Sequence, residues 1–183
     1  MVVRLLDGEQ AVELEGQLKE VFSEAFAEAP YGEGPTDVER AFRRFRSPAR
    51  RRGFRAAIVF DGDTVVGMAY GCPLSADTGW WDTLIDPVPE NLGHEDGKRT
   101  FGLFELAVRP RWRRQGVATR THRVLIEGVD NARVMLNTRP EGAAARASYR
   151  AWGYRRVGSA IPWDGAARHD VMLLDLTRPV VWA

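Results

Sequence analysis

The segment Arg109-Pro110-Arg111-Trp112-Arg113-Arg114-Gln115-Gly116-Val117-Ala118-Thr119 places four arginines in a turn that leads straight into a helix. Anion binding suits such a turn, and a phosphate above all. The first amides of a helix have no intrahelical acceptor and sit at the positive end of its dipole. Gly116 and Ala118 allow a ligand close to the backbone, and Arg113 and Arg114 add charge that only an anion or solvent neutralises. A basic turn alone is also what a solvated surface carries.

Other chemistries lack their residues. Gly93-His94-Glu95-Asp96-Gly97-Lys98 is one residue short of a nucleotide-binding P-loop, and Arg99 stands where a magnesium-binding hydroxyl belongs. His94, His122 and His169 are scattered, and Cys72 is the only cysteine, so no metal-ligand set is expected. No nucleophile elbow, G-x-S-x-G, occurs. His122, inside the helix after the turn, reads as a surface or packing residue.

The elements that must position the turn follow from periodicity. Gln10–Ala27 spaces Val12, Leu14, Leu18, Val21, Phe22 and Phe26 as an amphipathic helix, and Thr36 or Asp37 is expected to cap a second one ending near Ser47, before Pro48. Phe54–Phe60 and Thr64–Leu74 form a hairpin around Asp61-Gly62-Asp63. Ser75–Arg99 reads as a long loop with Trp80-Trp81 and Leu84-Ile85 as apolar anchors. Phe101–Val108 is a strand, Gly116–Glu127 a helix and Ala132–Leu136 a strand, a crossover unit whose two strands run parallel. A helix over Gly142–Trp152, stopped by Gly153, and strands at Tyr154–Ile161 and Val171–Leu176 close the chain.

With 183 residues, 44% of them hydrophobic, one domain over 1–183 is expected. Lys and Arg number 26 against 25 Asp and Glu, so no global field calls for nucleic acid or an anionic membrane. No stretch has the length and apolarity of a signal peptide or a membrane span, and a lone cysteine fits a reducing compartment; the cytoplasm is the expected location.

Arg113-x-x-Gly116-x-Ala118 resembles the Arg/Gln-x-x-Gly-x-Gly/Ala signature of the GNAT N-acetyltransferase superfamily. Leu106-x-Val108-x-Pro110 before it, and Ala145-Arg146-Ala147-Ser148-Tyr149-Arg150-Ala151-Trp152-Gly153-Tyr154 after it, match the same family in order and separation. The resemblance implies an α/β fold: a mixed, mostly antiparallel twisted sheet flanked by helices, its parallel pair splayed where Leu106–Val108 meets Val134–Thr138. It implies acetyl-CoA as co-substrate, with no metal. The main chain of Leu106, Ala107 and Val108 would hold the acetyl-pantetheine arm, and the amides of Arg114, Gln115, Gly116, Val117, Ala118 and Thr119, with Arg113, the pyrophosphate. Tyr149 matches the position that presents a hydroxyl to the CoA sulfur. Gly142 stands where the family often has an asparagine. Glu105, beside Leu106 on the expected thioester strand and on its opposite face unless a bulge intervenes, is a candidate base or amine anchor.

Tyr31, Glu33, Trp80 and Trp81, with Asp77, Asp82, Asp86, Glu90, Glu95 and Asp96, fall in segments that border the acceptor cleft in the family, and an acidic, aromatic rim suits a cationic amine. The expected activity is transfer of an acetyl group to a primary amine of a small molecule. A protein N-terminus or lysine is the alternative acceptor, and a non-catalytic acyl-CoA sensor the alternative from another class. A homodimer is compatible with all of this.

Overall fold

The computed structural model describes residues 1–87 and 89–178; the last five positions of the expected 1–183 domain lie outside them. The elements are β1 (Val2–Leu6), α1 (Gly8–Glu13), α2 (Glu15–Phe26), α3 (Pro35–Ala49), β2 (Arg55–Asp61), β3 (Thr64–Pro73), α4 (Glu90–Gly93), β4 (Thr100–Val108), α5 (Val117–Ile126), β5 (Arg133–Thr138), α6 (Ala143–Ala151), β6 (Arg155–Ala160) and β7 (His169–Asp175). The strands form one seven-stranded sheet in the order β1-β2-β3-β4-β5-β7-β6. By contacts the chain divides into two compact units, 1–72 with 103–128, and 73–102 with 129–183.

In the first unit, β1, β2 and β3 form an antiparallel meander. Strand β1 is an addition to the sequence reading, where five residues at the terminus carried no alternation to mark them. The single N-terminal helix expected over Gln10–Ala27 is two. Asp7 starts α1 with a reciprocal cap, the Gln10 amide donating to its Oδ1 (2.9 Å) and its own amide to Gln10 Oε1 (3.1 Å). The chain then breaks at Leu14 (φ −93°, ψ 5°). The break shifts the helical phase, so Ala11 is buried and Val12, expected in the core, is 42% exposed.

Helix α3 also starts earlier and ends later than expected. Gly34 is its cap, its amide bound to Asp37 Oδ2 at 3.0 Å, and Pro48 lies within the last turn. Its buried stripe, Val38, Ala41, Phe42, Phe45 and Ala49, meets Leu18, Val21 and Phe22 of α2 and Ile58, Met68 and Tyr70 of the sheet. Each large side chain there contributes about 1.5–3 kcal/mol by leaving water. Against the end of this stripe Gly8 approaches so closely that a Cβ would lie 1.7 Å from the Ala49 carbonyl oxygen. A backbone atom cannot turn aside as a side chain does, so Gly8→Ala is expected to destabilise the protein by at least about 3 kcal/mol, read as a drop in the denaturant midpoint.

In the second unit, β5 pairs antiparallel with β7, and β7 with β6. Thr100–Gly102, the start of β4, pairs parallel with Arg133–Met135, as the crossover reading requires, and the ladder is three rungs long. Sheet edge β6 is clipped by the long loop. The Ile85 amide donates to Ser159 O (2.8 Å), the Ile161 amide to Thr83 O (2.9 Å), and the Ser159 amide to Asp86 Oδ2 (2.7 Å). His122, in α5 of the first unit, is fully buried, and desolvation pulls its pKa down to about 3, so it is a neutral packing residue.

Candidate active site

The turn between β4 and α5 is built from backbone conformation. Arg114 (φ 62°) and Gly116 (φ 71°) both lie in the left-handed region, and Gly116 caps α5. Left-handed residues within a turn direct neighbouring amides toward one concavity, a nest for an anion. Apart from its two chain neighbours, no described residue lies within 4 Å of where a Cβ on Gly116 would stand, so the space beside it is open. Val117, 2% exposed, anchors the first helical turn among Val59, Val66 and Val108, while Ala118 and Thr119 are partly buried.

The side chains of the turn serve it differently from the sequence reading. Arg113 Nε donates to Val108 O (3.1 Å) and Nη2 to Ala25 O (2.6 Å), so its guanidinium braces the turn against the last turn of α2. Gln115 Nε2 closes the turn on Arg111 O (3.0 Å), and Trp112 Nε1 holds Asp61 Oδ2 of the hairpin (3.1 Å). Arg114 is exposed. Arg109, counted among the four arginines of the turn, instead bridges Glu20 Oε2 (2.9 Å) and Glu24 Oε1 (3.0 Å) of α2.

On β4, Ala107 and Val108 are buried and Glu105 and Leu106 partly so. Phe104 and Ala107 pack into the same cluster although three positions apart, which strict alternation forbids. The Leu106 amide there donates to Glu105 Oε1 (3.2 Å). Burial first, and then the charge of Glu33, raise the Glu105 carboxyl to about 8, against the opposing Leu106 amide and Arg44. Tyr70 is a neighbour that spacing did not reveal: its phenol is pushed well up by burial and by Glu105. Tyr31 stacks edge-on against Phe26 (4.9 Å), and the Glu33 amide donates to Phe26 O (2.8 Å).

The second unit holds the other candidates. Tyr149, 8% exposed on α6, lies edge-on to Trp152 (5.6 Å) and Tyr154 (5.5 Å). Gly153, left-handed at φ 90°, ends the helix so that the Tyr154 amide returns to Tyr149 O (3.0 Å). Gly142 caps α6 without a side chain.

Trp80 and Trp81 pack against Met135, Ala160, Val171 and Leu173. The cation over Trp81 is the chain's own Arg133, 5.1 Å from the ring, and the Trp81 indole donates to Glu95 Oε1 (3.1 Å). Glu95 is buried in an ion pair with Arg133 (2.8 Å) that Thr100 Oγ1 joins at 2.6 Å. Of the acidic residues in the loop, Glu95 and Asp86 therefore hold it in place, while Asp77, Asp82 and Asp96 are exposed. Among the described residues no group of acidic, His and Cys side chains has the arrangement of a metal site, and no helix is long and apolar enough to cross a membrane.

The sequence profile of the acetyltransferase (GNAT) family matches residues 17–154. The chain belongs to that family. Membership makes it an N-acetyltransferase and implies CoA thioester as the acyl donor. No protein of curated function matches the sequence. Solved structures share the GNAT fold. An aminoglycoside 6'-acetyltransferase type Ii is 19% identical with a TM-score of 0.65, over 98% of this chain and 100% of that one. A ribosomal-protein-alanine N-acetyltransferase from Brucella melitensis is 18% identical with a TM-score of 0.63, over 96% and 100%. The PaiA N-acetyltransferase from Thermoplasma acidophilum, solved with coenzyme A, is 12% identical with a TM-score of 0.60, over 96% of this chain and 99% of that one.

Proposed function

We propose that the chain, acting as one domain in the cytoplasm, transfers the acetyl group of acetyl-CoA to a primary amine of a small molecule by direct attack. The observation that carries this is the turn over 113–119, with its two left-handed residues, its helix start and the unfilled space beside Gly116. The amides of Arg114 through Thr119 bind the pyrophosphate. Main-chain groups of Leu106 to Val108 take the pantetheine arm, a role suited to a strand whose parallel ladder stops after three rungs.

In the reaction, Glu105 as carboxylate accepts a proton from the substrate ammonium, directly or through water, leaving a neutral nitrogen. That nitrogen attacks the thioester carbonyl, the C–S bond breaks, the nitrogen's second proton passes to the departing sulfur through solvent to give free CoA thiol, and Tyr149 donates a hydrogen bond to that sulfur while its charge is greatest. Tyr31, Glu33, Trp80 and Trp81 border the acceptor. A small acceptor is favoured over a peptide because residues 83–86 are clipped along β6, and a peptide groove would require that loop to be open. A screen of amines and peptides that reads free CoA thiol tests the reading: thiol release with small amines supports it, release with peptides alone moves the acceptor to protein, and CoA binding without release makes the chain a sensor.

The raised pKa of Glu105 fixes the sign of its pH dependence. Below about 8 the carboxyl is largely protonated and cannot act as a base. Turnover should therefore rise with pH through about 8 more steeply than the growing share of neutral amine alone would give, and Glu105→Gln should remove that extra rise, falling about 100-fold below the parent at pH 9 while the two converge near pH 6. Stability gives a second readout. The folded state holds the proton more tightly than the unfolded chain, so this group's contribution is complete below the unfolded carboxyl range and is lost as pH rises through about 8. Glu105→Gln should flatten that part of the stability profile, measured by denaturation at pH 5, 7 and 9.

A further inference from the structure

Two arginines, one just before the cofactor turn and one at its start, grip the same short stretch of α2. Arg109, from the end of β4, reaches Glu20 and Glu24, one helical turn apart on one face, at 2.9 and 3.0 Å. Arg113, from the turn itself, ends on the carbonyl of Ala25, which lies in the last turn of α2 where carbonyls have no intrahelical donor. The Arg109 side chain is 12% exposed although its partners are 67% and 49% exposed, so the arginine is the packed member of the group. The chain leaving α2 is bound back to it immediately. The Glu33 amide donates to Phe26 O (2.8 Å), the Tyr31 and Gly32 amides to Glu28 O (both 3.1 Å), and the Tyr31 ring lies against Phe26. Glu33 in turn is the charge that acts on Glu105. One continuous set of contacts thus runs from the turn to residues 28–34, all within the first unit.

We propose that Arg109 and Arg113 are positioning residues that couple the cofactor turn to the acceptor segment 28–34, so that acetyl-CoA bound at the turn orders Tyr31 and Glu33 for the incoming amine. The coupling rests on the reading of 113–119 as the cofactor turn. A ligand that tightens this turn restrains both arginines, and through them the last turn of α2 and the segment hydrogen-bonded to it. Reciprocity requires that an occupied acceptor segment also strengthen the hold on acetyl-CoA.

The test is hydrogen exchange of the amides of 28–34 with and without saturating acetyl-CoA, in the full-length parent and in Glu20→Gln/Glu24→Gln. That double variant keeps both arginines and changes only exposed carboxylates, and its fold is checked by its thermal transition. In the parent, acetyl-CoA should slow exchange in 28–34 by at least about fivefold, the lower end of ordinary coupling between sites. In the double variant the affinity for acetyl-CoA, measured by calorimetry without acceptor, should stay within about twofold of the parent while most of that protection is lost. Arg109→Lys, which retains the charge, should keep more protection than Arg109→Met. Equal protection in parent and double variant overturns the part given to Arg109, and no protection in a parent that binds acetyl-CoA overturns the coupling altogether. A parent that does not bind acetyl-CoA overturns the cofactor reading and the coupling with it.

Discussion

Replacing Gly116 by Glu is expected to weaken acetyl-CoA binding by at least about 100-fold, measured by calorimetry on folded protein. Three effects add. The left-handed backbone (φ 71°) disfavours any side chain, by about 1–2 kcal/mol. The new side chain enters the open space beside the turn, where no described residue but its chain neighbours lies within 4 Å of a Cβ. Its carboxylate puts negative charge where the pyrophosphate must sit. Gly116→Asn separates these contributions, because asparagine tolerates the left-handed region and carries no charge. Its binding should fall less than that of the Glu variant. Unchanged affinity in folded Gly116→Glu would remove the turn as the cofactor site.

Tyr149→Phe should lower turnover by about 100-fold and leave acetyl-CoA affinity nearly unchanged. The ring is 8% exposed and held edge-on between Trp152 and Tyr154, contacts that phenylalanine keeps. Only the hydroxyl is lost. A free thiol has a pKa of roughly 8.5 and a phenol about 10, so complete proton transfer to the leaving thiolate is uphill by about 2 kcal/mol. The hydroxyl need only donate a hydrogen bond that strengthens as charge gathers on sulfur, an interaction made mainly in the transition state. Single-turnover rates and calorimetry on the variant check the split. A variant that turned over like the parent would leave Tyr149 a core residue and its thiolate protonated by solvent.

Local signals carried far in this chain. The pattern from Phe101 to Leu136 named a strand, a turn, a helix and a parallel strand, and each is present within a residue or two. The turn could be read because helix starts have local preferences, whereas nothing local marked Arg114 as left-handed. Strand β1 could not, since a five-residue edge strand owes its existence to pairing with β2. The break at Leu14 is also tertiary: Gly16, two residues on, lies inside α2 rather than at the break, and the Ala11 stripe is chosen by what it packs against.

The site shows the same division. The spacing of Arg113 and Gly116 was legible, but the destination of the Arg113 side chain was not, because Ala25 lies far off along the chain. Likewise the carboxylate of Glu95 looked like part of an open acidic rim, and only Arg133, brought beside it by strand pairing, turns it into a buried counter-ion. Charges counted along a loop say nothing of which ones the fold neutralises.

The clip at 83–86 bears on how the protein behaves in a crowded solution. As the last strand of the sheet among the described residues, β6 has one side left over after pairing with β7, and the amides and carbonyls there would accept a strand from any neighbouring molecule. Residues 83–86 occupy part of that side without forming a regular strand, and Asp86 adds a charge where an intruding strand would have to lie. A loop that loosened at Asp86 would therefore be felt first as self-association between molecules, edge against edge, with the rest of each chain still folded.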